Sequence, residues 1–414
     1  MHMTNNSYIN FASKLQCINP IKQTKVTDNI LKGLFHDIRD GETELKYAKS
    51  INKHFYMRNV MDIANKSQIP KPKTFNDANF PPEVLKNIMD VKKVKKKITY
   101  SINIFDRNIH IIFIAEKKNV TLKTYDSYVD NILIWLYIVN KYANIKCATS
   151  LTLFFYQTNL IKELPVSNMT PINQINANSA FTRSCQTNAE IVIFRNEEWF
   201  KVFLHETMHT LGLDFSGINS DYCTKMMLSL FKVNSDVNVY EAYTEFWARI
   251  MNVLFCSYNT LKEENNISEL DEVDIYNKLN DKVDHFMHVE IKYAFFNMVK
   301  ILKFMDLKYN DITQNSQKKY NENTNVLSYY IITTILMNNY QSFLSWCKKH
   351  NPSLLQFSSD ISEQYEFCKF IYSKYRSKCF LDRVKCMEKI IDKTNKNKNK
   401  LILNSLRMTV CEMV

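Results

Sequence analysis

Residues 189–215 read AEIVIFRNEEWFKVFLHETMHTLGLDF. The opening AEIVIFR is a short apolar, β-branched run, the pattern of a strand. Asn196 can cap a helix with Glu197 and Glu198 in its first turn. Phe200, Phe203, Leu204 and Leu211 then recur at helical spacing until Gly212, a residue that commonly ends a helix. The stretch therefore predicts a strand feeding a helix, and that helix carries His205, Glu206 and His209 in the pattern H-E-x-x-H.

On a helix, positions i and i+4 share a face. His205 and His209 can both turn a ring nitrogen to one metal ion, and Glu206 can reach a water bound to it. Zinc lowers the pKa of such a water towards about 7, and the glutamate takes its proton as the water attacks a carbonyl. A catalytic zinc usually has three protein ligands and one open position. Gly212 fits the longer pattern H-E-x-x-H-x-x-G-x-x-H, but Phe215 stands where the third histidine belongs and cannot bind zinc. Asp214 directly follows the expected helix end, and no further aspartate motif supports it. Downstream, VYEAYTEFWARIMNVLF at 239–255 is helical by its apolar pattern and places Glu241 and Glu245 on one face. Ala242, Tyr243, Phe246, Trp247 and Ile250 predict that much of this helix is buried, and buried carboxylates need partners. One carboxylate can bind the metal while the other accepts an N–H from a ligand histidine and fixes its tautomer.

These residues resemble the gluzincins, the thermolysin-like branch of the zincin metallopeptidases. In that branch H-E-x-x-H supplies two zinc ligands and a glutamate on a later helix the third. An acid four residues further on often supports a ligand histidine. The resemblance makes Glu241 the third ligand, Glu245 the supporting acid and Glu206 the general base. EAYTEF is also similar to the E-x-x-x-E helix of lethal-factor-type toxin proteases. Upstream, NSAFT at 178–182 resembles the edge-strand segment that pairs with an extended substrate, which implies that Asn178 and Ala180 face substrate backbone. Such enzymes often add a Tyr or His that stabilises the developing oxyanion. His285 and His288 in HFMHVEIKY are candidates, with Tyr222, Tyr240 and Tyr243 behind them. The similarity spans about residues 97–255. It implies one Zn²⁺ per chain, a peptide or protein substrate, and hydrolysis of peptide bonds. Two other readings are a zincin-fold protein that binds without turnover, and a basic structural or nucleic-acid-binding protein.

The rest of the chain frames this site. Its 414 residues, 45% hydrophobic with only 4 Gly and 8 Pro, predict a mostly helical globular protein with more than one domain. KITYSINIF and NIHIIFIAE predict a hairpin turning at Asp106-Arg107. SYVDNILIWLYIVNKYA predicts a helix, and ATSLTLFFYQ and NSAFT predict strands. No strand is expected after about residue 220. The fold class is therefore α+β: a zincin-like domain with a small mixed sheet and the H-E-x-x-H helix, a helical N-terminal segment and a mostly helical C-terminal half. The expected segments are a helical 1–69, with helices in 29–38 and 44–64, a proline-containing linker at 70–90, the sheet lobe at 91–220 and a helical lobe at 221–414. The net charge of +12 sits largely in runs such as KKVKKK at 92–97 and KTNKNKNK at 393–400. Such runs are mostly solvated surface, and no motif here supports nucleic-acid binding. NILIWLYIV and YYIITTILM are too short to span a bilayer and read as buried helices. Ten cysteines without a C-x-x-C pair, and no apolar leader, lead us to expect free thiols in a cytoplasmic protein. The excess of Asn, Lys, Ile and Tyr suits an AT-rich genome; for a large DNA virus the location would be host cytoplasm or virion.

Overall fold

A computed structural model describes residues 6–52, 55–116, 119–264, 271–395 and 397–413. The fold is α+β, as expected, and the chain divides into two compact units. One comprises Leu31–Ile161 and Asn178–Leu213; the other comprises Met1–Ile30, Lys162–Ala177 and Asp214–Val414.

The first unit holds a mixed sheet of six strands: β1 (Met57–Asp62), β2 (Lys96–Ile104), β3 (Arg107–Ala115), β4 (Ser150–Thr158), β5 (Ala180–Thr182) and β6 (Asn188–Arg195). Their order is β1-β2-β3-β4-β6-β5. β1, β2 and β3 are antiparallel neighbours, β3, β4 and β6 run parallel, and β5 lies antiparallel to β6 at the outer edge. The expected hairpin is β2–β3, and it turns one residue earlier than expected. Phe105 and Asp106 both take positive φ (58° and 55°), which suits the twist of a two-residue hairpin loop. The parallel step from β3 to β4 needs a crossover. The helix Leu122–Asn140 supplies it, burying Ile132, Trp135, Leu136 and Val139. β6 then leads into the helix Trp199–Thr210.

The N-terminal segment departs from the expected pair of helices. One helix runs from Lys25 to Ile51, and residues 57–62 of the second expected helix form β1 instead. All six residues of β1 are exposed, so its apolar side chains carry no alternation that marks a strand. Pairing with β2, from Met57 opposite Ser101 to Asp62 opposite Lys96, decides its conformation. Gly41 on the long helix is a close-approach position, where a Cβ would come within 3.1 Å of the Tyr137 ring and 3.3 Å of the Ile134 carbonyl.

The proline-containing stretch is fastened to the sheet. The Glu190 carboxylate on β6 accepts the backbone N–H groups of Lys73 (2.8 Å) and Thr74 (2.7 Å) and the Thr74 hydroxyl. Phe75 and Phe80 meet the Phe181 ring edge-on at 4.8 and 4.9 Å. The contact units cut across the linear segments read from sequence. Residues up to Ile30 belong with the C-terminal helices, and Leu31 onward with the sheet.

The second unit is helical. Its longer helices are Asp221–Leu230, Val239–Glu264, Glu272–Phe304, Tyr340–His350, Ile361–Lys374 and Lys378–Lys393. The C-terminal tail is buried in this unit and held by side chains. Tyr330 Oη donates to the Leu406 carbonyl (2.6 Å), Asn297 to that of Arg407 (2.7 Å) and Asn252 to that of Cys411 (2.8 Å). Glu290 Oε1 accepts the N–H groups of Val410 and Cys411 at 2.8 and 2.9 Å. Among the described residues no helix is long and apolar enough to cross a membrane.

Free thiols were expected throughout, and four cysteines depart from this. Cys17 bonds to Cys386 and Cys147 to Cys185; the other six carry no disulfide. The partners lie 369 and 38 residues apart, so no local spacing announces either pair.

Lys300 is fully buried, and burial pushes its ammonium down to about 7 from 10.5. It donates to Asn297 Oδ1 (2.8 Å) and to the tail carbonyls of Ile402 (3.1 Å) and Ser405. Lys300→Met should destabilise the protein by about 1–3 kcal/mol, because those acceptors lose their donor. Between pH 7 and 10.5 the unfolded chain holds more protons at this lysine than the folded one, so its contribution to stability rises with pH. Urea unfolding across that range should show the rise in wild type and a flatter profile in the variant.

Candidate metal centre

The helix Trp199–Thr210 is buried at every position. Its start differs from the sequence expectation. Glu198, not Asn196, is the N-cap residue, with φ of 58° and no side-chain capping bond, so the two acids precede the first turn. Its end agrees with expectation: Gly212 takes φ of 66°, the left-handed stop that glycine tolerates best. Aromatic rings fix its opening turn. Trp199 packs on Tyr128 (4.7 Å) and on Phe155 (5.5 Å). In the middle, Trp135 Nε1 donates to Thr207 Oγ1 at 2.6 Å, and that hydroxyl bonds back to the Phe203 carbonyl at 2.9 Å. Thr207, midway between the two histidines, is thus pinned.

His205 and His209 are 6% and 8% exposed, and Glu206 between them is 8% exposed. The two imidazoles stand nearly perpendicular, at 76°, and their Nε2 atoms approach to 3.2 Å. Two ligands on a tetrahedral ion with bonds of about 2.05 Å lie about 3.3 Å apart. The imidazole pair already has the spacing that such an ion requires. Glu241 lies in the first turn of the helix Val239–Glu264. The imidazole pair could hold a metal ion, and Glu241 is the third ligand that the resemblance implies.

The other candidates fall out as follows. Glu245 is 1% exposed and pairs with Arg249, itself 1% exposed, across 3.0 Å. Asp214 Oδ1 accepts the Ser216 hydroxyl at 2.8 Å, and Oδ2 accepts the Thr244 hydroxyl at 3.3 Å. Ala180 opens the edge strand β5 opposite Ile193, and the Asn178 carbonyl accepts Arg195 Nε at 3.0 Å. His285 is exposed on the helix Glu272–Phe304. His288 is half-buried and pushed down to about 4 by burial, then by Lys292, His285 and Arg383. Of the tyrosines, Tyr243 donates to the Leu355 carbonyl at 3.0 Å and Tyr222 stacks on Tyr365 at 3.9 Å. Tyr240 is raised by burial, then by Glu241 and Asp214.

Sequence reasoning missed three contributors. Arg249 was visible as an i+4 partner to Glu245. Ser184 and Cys185 were not, although their hydroxyl and N–H both donate to the His209 carbonyl at 3.3 Å. Nothing local in the sequence ties that turn to the helix.

If the three-residue group binds metal, Glu241→Ala should weaken Zn²⁺ uptake as severely as His205→Ala. Glu245→Ala should cost less, roughly 10- to 100-fold in affinity. Competition against a chromophoric chelator gives the ranking, and the reverse order would make Glu245 the ligand.

Comparison with known protein families, with curated proteins and with solved structures found no match to this chain.

Proposed function

We propose that the chain is a zinc-dependent endopeptidase of the gluzincin type, with a zincin-like catalytic domain. The observation that carries this reading is the pair of buried imidazoles with Nε2 atoms 3.2 Å apart on one helix, with Glu206 next to His205 in the H-E-x-x-H pattern. His205, His209 and Glu241 would hold one Zn²⁺, which supplies Lewis acidity to a peptide carbonyl and to water. A donor set of two nitrogens and one oxygen suits zinc and leaves a position open.

The chain's own residues would divide the remaining work. Glu206 does not need to bind the ion. Its carboxylate takes a proton from the attacking water and returns it to the departing amine. Glu245, paired with Arg249, would be the acid that supports a ligand histidine in such enzymes. β5 is an outer strand, so its free edge can accept an extended peptide through backbone hydrogen bonds, with Asn178 and Ala180 at its start.

Glu206→Gln tests the step from metal site to enzyme. It keeps size and hydrogen-bonding capacity but removes the base. Zinc content and melting temperature should stay at wild-type values, while cleavage of casein or a peptide library falls at least about 10²-fold. A wild type that holds zinc but cleaves nothing would favour a binding protein. Equal cleavage by the variant would refute the mechanism.

A further inference from the structure

We propose that the Cys147–Cys185 disulfide positions the His209 end of the metal helix, so that reducing this one bond weakens metal retention. The inference rests on the metal reading above and adds a redox dependence to the same site. Cys147 is buried in the loop before β4; Cys185 is exposed in the turn between β5 and β6. That turn is attached to the helix end. The Cys185 N–H and the Ser184 hydroxyl both donate to the His209 carbonyl at 3.3 Å, beside the Gly212 N–H at 3.1 Å. The hydroxyls of Thr182 and Thr210 meet at 2.9 Å.

The sulfur bridge is also the surface on which the helix end rests. A Cβ on Gly212 would stand 3.5 Å from Cys147 Sγ and 3.8 Å from Cys185 Cβ. Both bridged segments hold left-handed backbone without glycine: φ is 47° at Cys185 and 53° at Ala148, next to Cys147. Such a conformation is disfavoured for residues with a Cβ. The covalent bond keeps both in place, and the Ala148 N–H to Gln186 carbonyl bond of 2.7 Å is formed across the same junction. Without the bridge, the turn that carries the Cys185 and Ser184 donors to the His209 carbonyl is free to relax.

The chemistry needs a dithiol reductant. Its thiolate attacks the exposed Cys185 sulfur, the S–S bond breaks, and Cys147 leaves as a thiolate that takes a proton. The second thiol of the reductant then displaces Cys185 from the mixed disulfide. Two electrons and two protons pass to the protein, and the dithiol becomes a disulfide.

The test uses the full chain and Zn²⁺ alone as probe. Reduction is done with a phosphine, which is oxidised to its oxide by oxygen from water and adds no competing thiol. Zinc affinity is measured for oxidised and reduced wild type, for Cys147→Ser/Cys185→Ser, and for Cys17→Ser/Cys386→Ser as control. Amide exchange is followed in parallel. Reduction and the first double variant should weaken affinity roughly tenfold, within the range of changes around ligand residues. They should also speed exchange at 183–187 and 209–213 while β2, β3 and β4 keep their protection. The control should bind as wild type does. Unchanged affinity in protein shown by mass to be reduced at Cys147 and Cys185 overturns the proposal, as does uniform loss of protection across the sheet. If oxidised wild type takes up no zinc, the metal reading fails. The exchange arm then decides the positioning role alone: faster exchange at 209–213 supports it and unchanged exchange overturns it.

Discussion

The constraint on which the structure turns is the complete burial of the helix Trp199–Thr210. A helix hidden on all sides is normally apolar. This one carries Lys201, two histidines, Glu206 and two threonines among its buried residues. Buried polar groups are costly unless each is satisfied. The surroundings therefore answer residue by residue. Trp135 meets Thr207, Thr182 meets Thr210, and the 184–185 turn meets the His209 carbonyl. Two imidazole nitrogens face each other at 3.2 Å, a spacing that a shared proton or a bound cation satisfies.

Charge is buried by a different device in the helical unit. There, acids and bases close pairs within a few residues of one another: Glu245 with Arg249, and Glu412 with Arg407 at 2.7 Å. Taking one partner from such a pair leaves an uncompensated buried charge, which is strongly destabilising. Backbone N–H groups hold other buried acids: those of Lys73 and Thr74 donate to Glu190 in the sheet unit, and those of Val410 and Cys411 to Glu290 in the helical unit. A proline-containing segment that sequence marks as a linker thereby becomes part of the sheet's wall.

Where pattern is local, sequence was sufficient. The hairpin, the strands at 150–158 and 188–195, the helix at 122–140 and the Gly212 stop all follow from side-chain period or turn chemistry within a dozen residues. The H-E-x-x-H triplet and the Glu241/Glu245 spacing belong to the same class. What escaped was set by distant partners. β1 is a strand because β2 lies beside it, although all its side chains face solvent. Glu198 takes the N-cap position in a left-handed conformation that no propensity favours. The cysteine pairs join segments far apart in sequence, and Arg195 reaches the carbonyls of Asn178 and Ile161 across loops.

The division of the chain into its two units also orders its birth. Every residue of the sheet unit has been synthesised once Leu213 is made. Residues before Leu31 are made ahead of the sheet unit, yet their partners come after it: Thr24 waits for Gln341, 317 residues later, and Cys17 for Cys386. At about 5–20 residues per second this is a delay on the order of tens of seconds, during which Tyr8 and Phe11 lack the rings of Tyr293 and Phe296. The helix Asn6–Ser13 must therefore wait for its apolar partners until long after the last residue of the sheet unit has been made.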